Sequence, residues 1–578
     1  MQAHTPTNNR QLPYRLADFA TLPQALDYAA QGETGLNFYT GKGELAEALS
    51  YAKLREQSQV LARKLLASGL LPGERVALIA DTDGDFARGF FACEYAGLVP
   101  TTLPLPAAFG GRGAYIAHIR RMIESAAVAA AFAPATMLDR LTEACEGLGL
   151  KLAGTLALLD GVAPVEGPLP EVVADDFCYL QFSSGSTRFP LGVAVTQRAL
   201  MANVRGIARD GLRIGPGDRC SSWLPLYHDM GLIGFLLTPL VCQVSVDLFA
   251  TRDFARRPLL WLDLITRNGA TLSYSPTFGY ELAARRAETA PTEHLELSRW
   301  RGAGIGGDMV RPEPLKKFSE RFAPRGFSAS AFVPSYGMAE TALALSFAPI
   351  GQGIRADCLD IDVLEREHRA ELAAPGSPRS RDFVLCGPVL PEHRFEVRGD
   401  AGQVLAEARV GRIYTRGPSL MHSYFGQPEA TAAVLSADGW LDTGDLGYLR
   451  EGQIVITGRA KDLIIINGRN IWPQDLEWTA ESEIEALRSG DVAAIAVDDG
   501  QGEQVLVLVE FRNADEATRA ALCQQVSDLL RLRHGIETRV LTVPPRSLPR
   551  TSSGKLSRAG ARKLYLENRY TVPDDDSP

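Results

Sequence analysis

Strand and helix signals alternate through the first half of this 578-residue chain, and this alternation limits the folds that it can adopt. Residues 75–80 have the continuous apolar pattern of a buried strand. Residues 83–96 follow with a helical pattern, which Gly97 ends. Repeated strand–helix units of this kind predict an α/β fold with largely parallel sheets covered by helices.

A second structural unit is indicated near the C-terminal end. The chain is too long for one hydrophobic core, and a prior of about 100–200 residues per domain predicts three or four compact units. From about residue 454 the pattern changes to short strands at 453–457, 463–466, 492–497 and 505–511 and a helix at 515–533. This change predicts a separate, small α+β domain.

Composition excludes several functional classes. The formal net charge of −9 argues against a nucleic-acid-coating protein and against a polybasic membrane anchor. Residues 1–14 are polar and lack an apolar core segment, so we expect no signal peptide. The longest apolar run, 232–241, is too short to span a bilayer. Eight cysteines without a C-x-x-C pair indicate reduced thiols, and we therefore expect a cytoplasmic protein with no membrane span and no nucleic-acid partner.

The stretch 179–192 is an apolar strand that runs into a small loop rich in hydroxyl groups. Such a loop can surround a phosphate chain with backbone N–H groups and hydroxyls. It is not a Walker loop, because the Gly-x4-Gly-Lys-Ser/Thr pattern is absent and an apolar strand at 192–195 follows. Taken alone, the pattern fits an ordinary serine–glycine hairpin better. The candidate phosphate-binding residues are Ser183, Ser184, Gly185, Ser186, Thr187 and Arg188.

Two further motifs combine aromatic residues with glycine. In residues 223–234 (WLPLYHDMGLIG), His228 could line or gate an apolar cavity, although a packed core histidine is the simpler interpretation. In residues 335–341 (SYGMAET), Tyr336 could stack on a purine, and Glu340 could hold Mg²⁺. The alternative for this second motif is a strand-to-helix turn with an exposed Glu340.

Charged loops form the last two motifs. Asp445 of the DTGDLG motif could accept hydrogen bonds from both ribose hydroxyls, and Arg459 of GRAKD could donate to the same sugar or to a phosphate. Two turns with ordinary surface charges are the alternative. The motif LPRTSSGKLS presents Lys555 on a Gly/Ser loop, which alone would be a mobile surface loop.

In this order and spacing, the five motifs resemble those of the adenylate-forming enzymes, the superfamily of acyl-CoA synthetases, peptide-synthetase adenylation domains and luciferases. The resemblance extends from about residue 13 to residue 570. It implies a large N-terminal domain of several subdomains at 1–461 and a small, mobile α+β C-terminal domain at 462–578, with Asp462 as the hinge. No single motif is decisive, but five independent motifs in sequence order are a specific match.

A narrower resemblance is to the fatty acyl-AMP ligases, carried by residues 179–188, 223–234, 416–420 and 461–467. Arg188 and Leu191 stand where most acyl-CoA synthetases have glycine and lysine. Residues 351–381, with a helical patch at 362–372, match in place the insertion that distinguishes these ligases. Loops of this length are unusual unless they serve a function.

The resemblance implies a two-step reaction. The carboxylate of a fatty acid attacks the α-phosphorus of ATP in the presence of Mg²⁺, which gives an acyl-adenylate and pyrophosphate. The acyl group then passes to the phosphopantetheine thiol of an acyl carrier protein. Because no carrier domain follows Lys555, the carrier is expected to act in trans.

The resemblance also assigns roles to residues. The catalytic residues expected are Lys555, His228 and Glu340, and the Mg²⁺ site expected is Glu340 with Thr187. Besides the phosphate loop, the nucleotide-binding residues expected are Gly307, Asp308, Ser335, Tyr336, Gly337, Met338, Asp445 and Arg459. The acyl-binding residues expected are Trp223, His228, Met230, Gly231 and Phe278.

Two alternatives stay open at this point. The first is an acyl-CoA synthetase, which shares the adenylation step and differs in the thiol that accepts the acyl group. The second is a non-catalytic nucleotide-binding scaffold of the same fold. The presence of Lys555, Glu340, Asp445 and Arg459 argues against the scaffold, because a scaffold needs none of them.

Overall fold

The computed structural model describes residues 4–8, 12–106, 111–183, 190–374, 377, 379–466, 469–498, 503–512, 515–551 and 555–570. The strands in these ranges are β1 Gly35–Tyr39, β2 Leu45–Ser50, β3 Arg75–Ile79, β4 Val99–Leu103, β5 Val128–Phe132, β6 Leu152–Gly154, β7 Phe177–Phe182, β8 Gly192–Thr196, β9 Cys220–Ser222, β10 Val246–Phe249, β11 Leu272–Ser275, β12 Gly302–Ile305, β13 Phe332–Gly337, β14 Ala344–Phe347, β15 Ala356–Asp360, β16 Ser380–Pro388, β17 Arg394–Arg398, β18 Gly411–Arg416, β19 Ser423–Tyr424, β20 Leu441–Arg450, β21 Gln453–Arg459, β22 Ile464–Ile466, β23 Arg469–Ile471, β24 Val492–Asp498, β25 Glu503–Glu510 and β26 Thr538–Val543.

The α-helices are α1 Leu22–Ala29, α2 Tyr51–Ala67, α3 Gly84–Tyr95, α4 Arg112–Ser125, α5 Leu138–Cys145, α6 Gln197–Gly206, α7 Asp229–Leu232, α8 Thr238–Val241, α9 Thr251–Arg256, α10 Leu259–Asn268, α11 Thr277–Ala287, α12 Pro312–Phe322, α13 Ile361–Glu367, α14 Pro428–Val434, α15 Pro473–Glu483, α16 Glu516–His534 and α17 Arg558–Leu566. Two π-helical segments, Ile207–Gly211 and Ile233–Leu237, continue α6 and α7.

The strands pair into large mixed sheets. An eight-stranded sheet has the order β14-β13-β12-β11-β9-β10-β1-β2, and a seven-stranded sheet has the order β19-β8-β7-β4-β3-β5-β6. A six-stranded sheet has the order β15-β16-β21-β20-β18-β17. The three-stranded sheet β24-β25-β26 and the two-stranded sheet β22-β23 lie in the C-terminal part of the chain.

The seven-stranded sheet confirms the α/β class predicted from the alternating pattern. Its strand β3 pairs in parallel with β4 and with β5, and α3 makes the connection from β3 to β4. The Asp83 side chain caps α3 by accepting a hydrogen bond from the Phe86 N–H at 2.8 Å. Beyond the helix, Gly97 adopts φ +66°, the left-handed conformation that glycine tolerates best.

The six-stranded sheet corrects two expectations. Residues 453–457 lie in β21 of this sheet rather than in the C-terminal unit. β21 pairs antiparallel with β20, from Asp445 opposite Arg459 to Arg450 opposite Gln453. The helical patch expected at 362–372 ends at Glu367, because His368 turns the backbone into the left-handed region at φ +52°. The 351–381 segment instead supplies the edge strand β15 and the short helix α13.

The C-terminal part of the chain has its own hydrophobic core. One buried cluster runs from Ile464 to Ile536, and a second runs from Ala493 to Tyr570, both drawn from residues after Asp462. A separate core supports a domain that packs independently. The division at 461/462 stays a proposal.

No α-helix within the described ranges is long and apolar enough to cross a lipid bilayer.

Candidate active site

One cavity of about 580 Å³ opens where the ends of several sheets meet the Lys555 loop. The strands β7, β13, β20 and β21 each contribute residues to its wall, as do α7 and the segment that precedes α17. The predicted residues that line it are Ser183, His228, Met230, Gly307, Asp308, Ser335, Tyr336, Gly337, Met338, Glu340, Asp445, Arg459, Asp462 and Lys555. Four of the five sequence motifs therefore share one cavity. From the remaining motif, the hydroxyl-rich stretch 179–192, the predicted residue Ser183 also lines this cavity.

An ion pair at the centre of the wall follows from strand register. β20 and β21 pair so that Asp445 lies opposite Arg459, and the Arg459 Nε is 3.2 Å from the Asp445 Oδ1. The Tyr336 hydroxyl, from β13, donates to the other carboxylate oxygen at 2.7 Å. Asp445 raises the pKa of the Arg459 guanidinium, which stays charged. Burial and the nearby Asp445 charge raise the pKa of the Tyr336 hydroxyl, which stays protonated.

Glu340 occupies a short 3₁₀ turn after β13, and it is buried rather than exposed. The Tyr424 hydroxyl donates to its Oε1 at 2.8 Å, and the Met421 N–H donates to its backbone carbonyl at 2.7 Å. Burial raises the pKa of the Glu340 carboxyl. A buried carboxylate with one hydrogen-bond donor has further oxygen lone pairs for a cation or for water.

His228 precedes the short helix α7 and contacts the next residue in the chain. Its Nδ1 lies 2.6 Å from the Asp229 Oδ1. Burial alone would raise the pKa of Asp229, but the adjacent His228 lowers it overall. Both side chains line the cavity. Asp229 therefore brings a negative charge to the wall beside the imidazole.

A small hairpin carries Lys555 into the cavity. Arg550 and Leu556 form an isolated antiparallel bridge, and the Thr551 N–H donates to the Lys555 carbonyl at 2.8 Å. Burial lowers the pKa of the Lys555 ammonium, and Arg459 lowers it further, whereas Asp308 and Asp229 raise it. The lysine charge thus lies within the field of acidic side chains from the N-terminal part of the chain.

The sequence pattern of the AMP-binding enzymes matches residues 29–425, more than half of the chain. The chain belongs to the AMP-binding enzyme family. A putative acyl-CoA synthetase of Caulobacter vibrioides is 58% identical to it over 98% of each chain. The long-chain fatty-acid–AMP ligase FadD32 of Mycolicibacterium smegmatis is 31% identical over 92% of this chain and 91% of that protein. JamA of Moorena producens, a medium-chain fatty-acid–[acyl-carrier-protein] ligase, is 29% identical over 95% of this chain and 96% of that protein.

A solved structure from a study of fatty acyl-adenylate ligases of E. coli and L. pneumophila has the same fold. It superposes with a TM-score of 0.91 at 44% identity, and the match covers 96% of this chain and 100% of that one. The predicted resemblance to the fatty acyl-AMP ligases and to their fold is confirmed.

Three residues expected to bind the acyl chain, Trp223, Gly231 and Phe278, are not among the residues that line the cavity. Trp223 is buried in an aromatic cluster, stacked on Phe254 at 3.8 Å, with Phe278 edge-to-face at 5.8 Å. Phe278 is 41% exposed. Gly231 lies so close to the Pro225 carbonyl that a Cβ would come within 2.2 Å of its oxygen. The acyl-binding role of these three residues stays a prediction.

Gly307 and Asp308 both line the cavity. Gly307 adopts φ +81°, and a Cβ there would lie 2.7 Å from the Met230 Cε. The absence of a side chain at Gly307 therefore leaves room for the Met230 thioether to pack against the backbone. Asp308 caps its own turn through the Met309 N–H, at 2.8 Å.

The apolar part of the wall was missed by the sequence analysis. It includes Ile207, Leu212, Phe235, Tyr274, Leu343 and Phe347. Two of these residues lie in the π-helical segments, which no periodicity of the sequence announces. Tyr424, the donor to Glu340, was also missed because it lies 84 positions away.

The phosphate-loop predictions fall only partly on the described residues. The Ser183 N–H donates to the Leu191 carbonyl at 2.9 Å, and both residues line the cavity. Ser184, Gly185, Ser186, Thr187 and Arg188 lie outside the described residues.

Proposed function

We propose that this AMP-binding enzyme activates a fatty acid with ATP, giving an acyl-adenylate and pyrophosphate, and passes the acyl group to the phosphopantetheine thiol of a separate acyl carrier protein. The supporting observation is a single cavity whose lining joins a charged group around Asp445 and Arg459 to an apolar group around Phe235, Tyr274 and Phe347. An acyl-adenylate has the same two-part character. The relatives named as fatty-acid–AMP and fatty-acid–[acyl-carrier-protein] ligases support the same class of substrate.

The charged end suits a nucleotide. Asp445 has carboxylate oxygens that can accept hydrogen bonds from ribose hydroxyls, while Arg459 can donate to the sugar or the phosphate. Their ion pair and the Tyr336 hydroxyl fix the carboxylate before the nucleotide arrives. Preorganisation of this kind lowers the entropic cost of binding. Tyr336 and Asp308 are the proposed adenine contacts.

The apolar end suits a hydrocarbon chain. Its wall includes side chains of Ile207, Leu212, Phe235, Tyr274 and Phe347, all buried. Transfer of a methylene group from water to such a wall is worth about 0.8 kcal/mol. A carboxylic acid with an alkyl chain therefore gains affinity from this end, and a small polar acid does not.

The adenylation step joins two anions, so a cation must lie between them. A carboxylate oxygen bonds to the α-phosphorus, and the bond from that phosphorus to the oxygen bridging the α- and β-phosphates breaks, which releases pyrophosphate. Lys555 is the proposed cation, because its ammonium is a compact point charge on a loop that reaches the cavity. In this role it positions the reactants and offsets charge, and it forms no covalent bond.

The residues present fit a Mg²⁺ ion that arrives with ATP. Mg²⁺ is usually held by one or two carboxylates together with substrate phosphates and water. Glu340 offers one carboxylate at the cavity wall, and no cluster of three metal-binding side chains occurs within the described ranges. When bound, the ion would offset charge on the phosphates. Glu340 is the proposed protein ligand, with Thr187 as the expected second one.

The transfer step requires the thiol to reach the acyl carbon. The thiol sulfur attacks the carbonyl carbon, AMP leaves, and a thioester results. Lys555 belongs to the C-terminal unit of residues 462–578, so a rotation about Asp462 would carry it away from the N-terminal domain, residues 1–461. Rigid-body rotation about a hinge is a common way to give one site two tasks.

A second candidate is an acyl-CoA synthetase, and the Caulobacter relative with that putative name favours it. The two functions share the acyl-adenylate and differ in the final acceptor. Against it stands Leu191 at the cavity wall, where most acyl-CoA synthetases have a lysine.

The test is to incubate the enzyme with ATP, Mg²⁺ and fatty acids of graded length, and to measure pyrophosphate and acyl-AMP. Coenzyme A or a phosphopantetheinylated carrier protein is then added. The proposal predicts acyl-AMP in the first stage, and acyl-carrier without abundant acyl-CoA in the second. Abundant acyl-CoA would establish the second candidate, and no pyrophosphate with any acid would contradict both.

A further inference from the structure

Arg558 is a half-buried arginine that the five motifs leave without a role. It lies three residues after Lys555 and begins helix α17. Its Nη2 and Nε contact the two carboxylate oxygens of Glu477 at 2.5 and 2.8 Å. Its Nη1 contacts the Asp462 Oδ2 at 3.1 Å. The guanidinium therefore bridges two carboxylates, one of which belongs to the proposed hinge.

The position of this guanidinium, largely shielded from solvent at the start of a helix, is electrostatically unfavourable unless specific contacts stabilise it. Only 14% of the Arg558 side chain is exposed, and a cation at the N-terminus of a helix opposes the helix dipole. Burial of charges is unfavourable unless good hydrogen bonds offset it. Glu477 is held in place by the Ala494 N–H at 3.0 Å. One carboxylate could satisfy the fork of the guanidinium, so the third contact, to Asp462, needs an explanation.

The connection from Arg558 back to Lys555 is short and rigid. The Ser557 N–H donates to the Pro549 carbonyl at 2.8 Å, and the Thr551 N–H donates to the Lys555 carbonyl at 2.8 Å. These bonds tie Lys555 and Ser557 to the facing residues Thr551 and Pro549. The Ser557 side chain caps α17 through the Gly560 N–H at 3.2 Å. A displacement of Arg558 is therefore transmitted to the Lys555 backbone.

We propose that Arg558 is a positioning residue that ties the hinge carboxylate of Asp462 to the Lys555 hairpin and so holds the Lys555 ammonium in the cavity during adenylation. This inference rests on the proposed function, because it assigns Lys555 to the first half-reaction. Glu477 anchors the guanidinium within the C-terminal unit, and Asp462 supplies the contact to the hinge. Loss of the contact is expected to misplace the lysine without removing it.

The test measures the two half-reactions separately in Arg558→Lys. Lysine keeps the charge but cannot make the three-contact fork. We expect kcat for fatty-acid-dependent pyrophosphate formation to fall about 10–100-fold, the loss typical of a misplaced catalytic group, with KM for ATP changed far less. Acyl transfer from supplied acyl-AMP to a carrier protein should be unchanged. Arg562→Lys, an exposed position on the same helix, is the matched control.

A double-mutant cycle distinguishes positioning from a purely structural role. If Arg558 acts through Lys555, Arg558→Lys has no further effect on adenylation in a Lys555→Ala background. Asp462→Asn is the second variant, and it should reproduce the adenylation loss without disturbing Glu477. An adenylation rate within twofold of the wild type, equal losses in both half-reactions, or additive losses in the cycle would each overturn the inference. Absence of pyrophosphate formation in the wild type would instead contradict the proposed function itself.

Discussion

At the scale of single residues, the charge of Lys555 depends on both parts of the chain. Burial lowers the pKa of its ammonium and Arg459 lowers it further, while Asp308 and Asp229 act in the opposite direction. The last three residues precede the proposed hinge, and Lys555 follows it. The lysine therefore has this electrostatic environment only when its hairpin lies in the cavity.

Removal of the ammonium should affect one half-reaction only. In Lys555→Ala we expect kcat for acyl-AMP formation to fall about 10²–10³-fold, because one transition-state contact is lost. Transfer from supplied acyl-AMP to a carrier protein should persist. The control is Lys563→Ala, an exposed lysine on α17. Equal losses in the two half-reactions would contradict the proposed role.

The pH dependence of adenylation follows from the same burial. The protonated lysine is the active form, and its pKa is lowered from the ordinary value of 10.5. As the pH rises, kcat/KM for ATP should therefore decline at a lower pH than an ordinary lysine would give. Lys555→Arg should move this decline to higher pH, because a guanidinium does not lose its proton in this range. An alkaline limb that stays in place in Lys555→Arg would assign it to another group.

Individual residues of the polar wall could be predicted from the sequence, but their contacts could not. Tyr336, Asp445 and Arg459 were assigned to the nucleotide from two separate motifs. The hydrogen bond from Tyr336 to Asp445 joins residues 109 positions apart. It depends on how β13 lies against β20, which no local pattern encodes.

At the scale of elements, the two π-helical segments shape the apolar end of the cavity. Ile207 lies in one segment and Phe235 in the other, and both line the wall. Tyr274 lies between two aromatic neighbours, 5.9 Å from the ring of Phe235 and 6.4 Å from the ring of Phe347. These rings form an aromatic wall that limits the space for a chain.

Truncation of that wall should change the acyl preference. In Phe347→Ala we expect activity to shift towards longer fatty acids by a few methylene groups, because removal of the ring enlarges the apolar end. The shift is measured with a panel of fatty acids of roughly C6 to C18. The product quantified for each acid is acyl-AMP. Phe278→Ala is the control, because Phe278 lies outside the wall. A larger shift in the control would restore the sequence-based assignment of Phe278.

A buried carboxyl group links three elements of the N-terminal domain. Glu94 of α3 accepts from the Gln197 Nε2 of α6 at 2.6 Å and from the Cys178 Sγ of β7 at 3.3 Å. Burial raises its pKa from the ordinary value of 4.5 to about 8, although both hydrogen bonds oppose the shift. Between pH 4.5 and about pH 8, Glu94 binds more protons in the folded protein than in the unfolded chain. The free energy of unfolding should therefore fall as the pH rises through this window.

Substitution of that carboxyl group tests the sign of the effect. Glu94→Gln removes the titration, so the difference in unfolding free energy between wild type and variant should change by at most about 1.4 kcal/mol per pH unit between pH 4.5 and 8. Denaturant unfolding at several pH values measures it, with the exposed Glu124→Gln as control. Parallel stability curves for wild type and Glu94→Gln would show that the carboxyl group is not held neutral.

Across the whole molecule, the sequence predicted the order of the helices, strands and units better than the residues at which each begins and ends. The α/β class, the helix that Asp83 caps, the strands β24 and β25 and the helix α16 follow local patterns, whereas β26 was not predicted. The strand at 453–457 was given to the wrong unit, because an apolar strand carries no mark of its partner. The helix of the 351–381 segment was drawn too long, because His368 is an unusual residue to end a helix. The apolar part of the wall was missed because its residues come from two π-helical segments, two strands and two connecting positions that are far apart in the sequence.

The two units also contact each other outside the cavity. Glu365 of α13 accepts from the Arg469 Nη2 at 2.7 Å and from the Arg379 Nη2 at 3.2 Å. Arg469 belongs to β23, beyond the proposed hinge. A rotation of the C-terminal unit would break the Glu365–Arg469 pair together with the contacts of Lys555. The orientation described here is the one in which the lysine faces the polar end.

The central claim is that one cavity receives the nucleotide at its charged end and the acyl chain at its apolar end. A crystal structure with a non-hydrolysable acyl-adenylate analogue tests it most directly. We expect the ribose hydroxyls to donate hydrogen bonds to Asp445 and the acyl phosphate mimic to lie beside Lys555. The acyl chain should lie between Ile207, Phe235 and Phe347. An acyl chain directed towards Trp223 and Phe278, or a ribose away from Asp445, would contradict it.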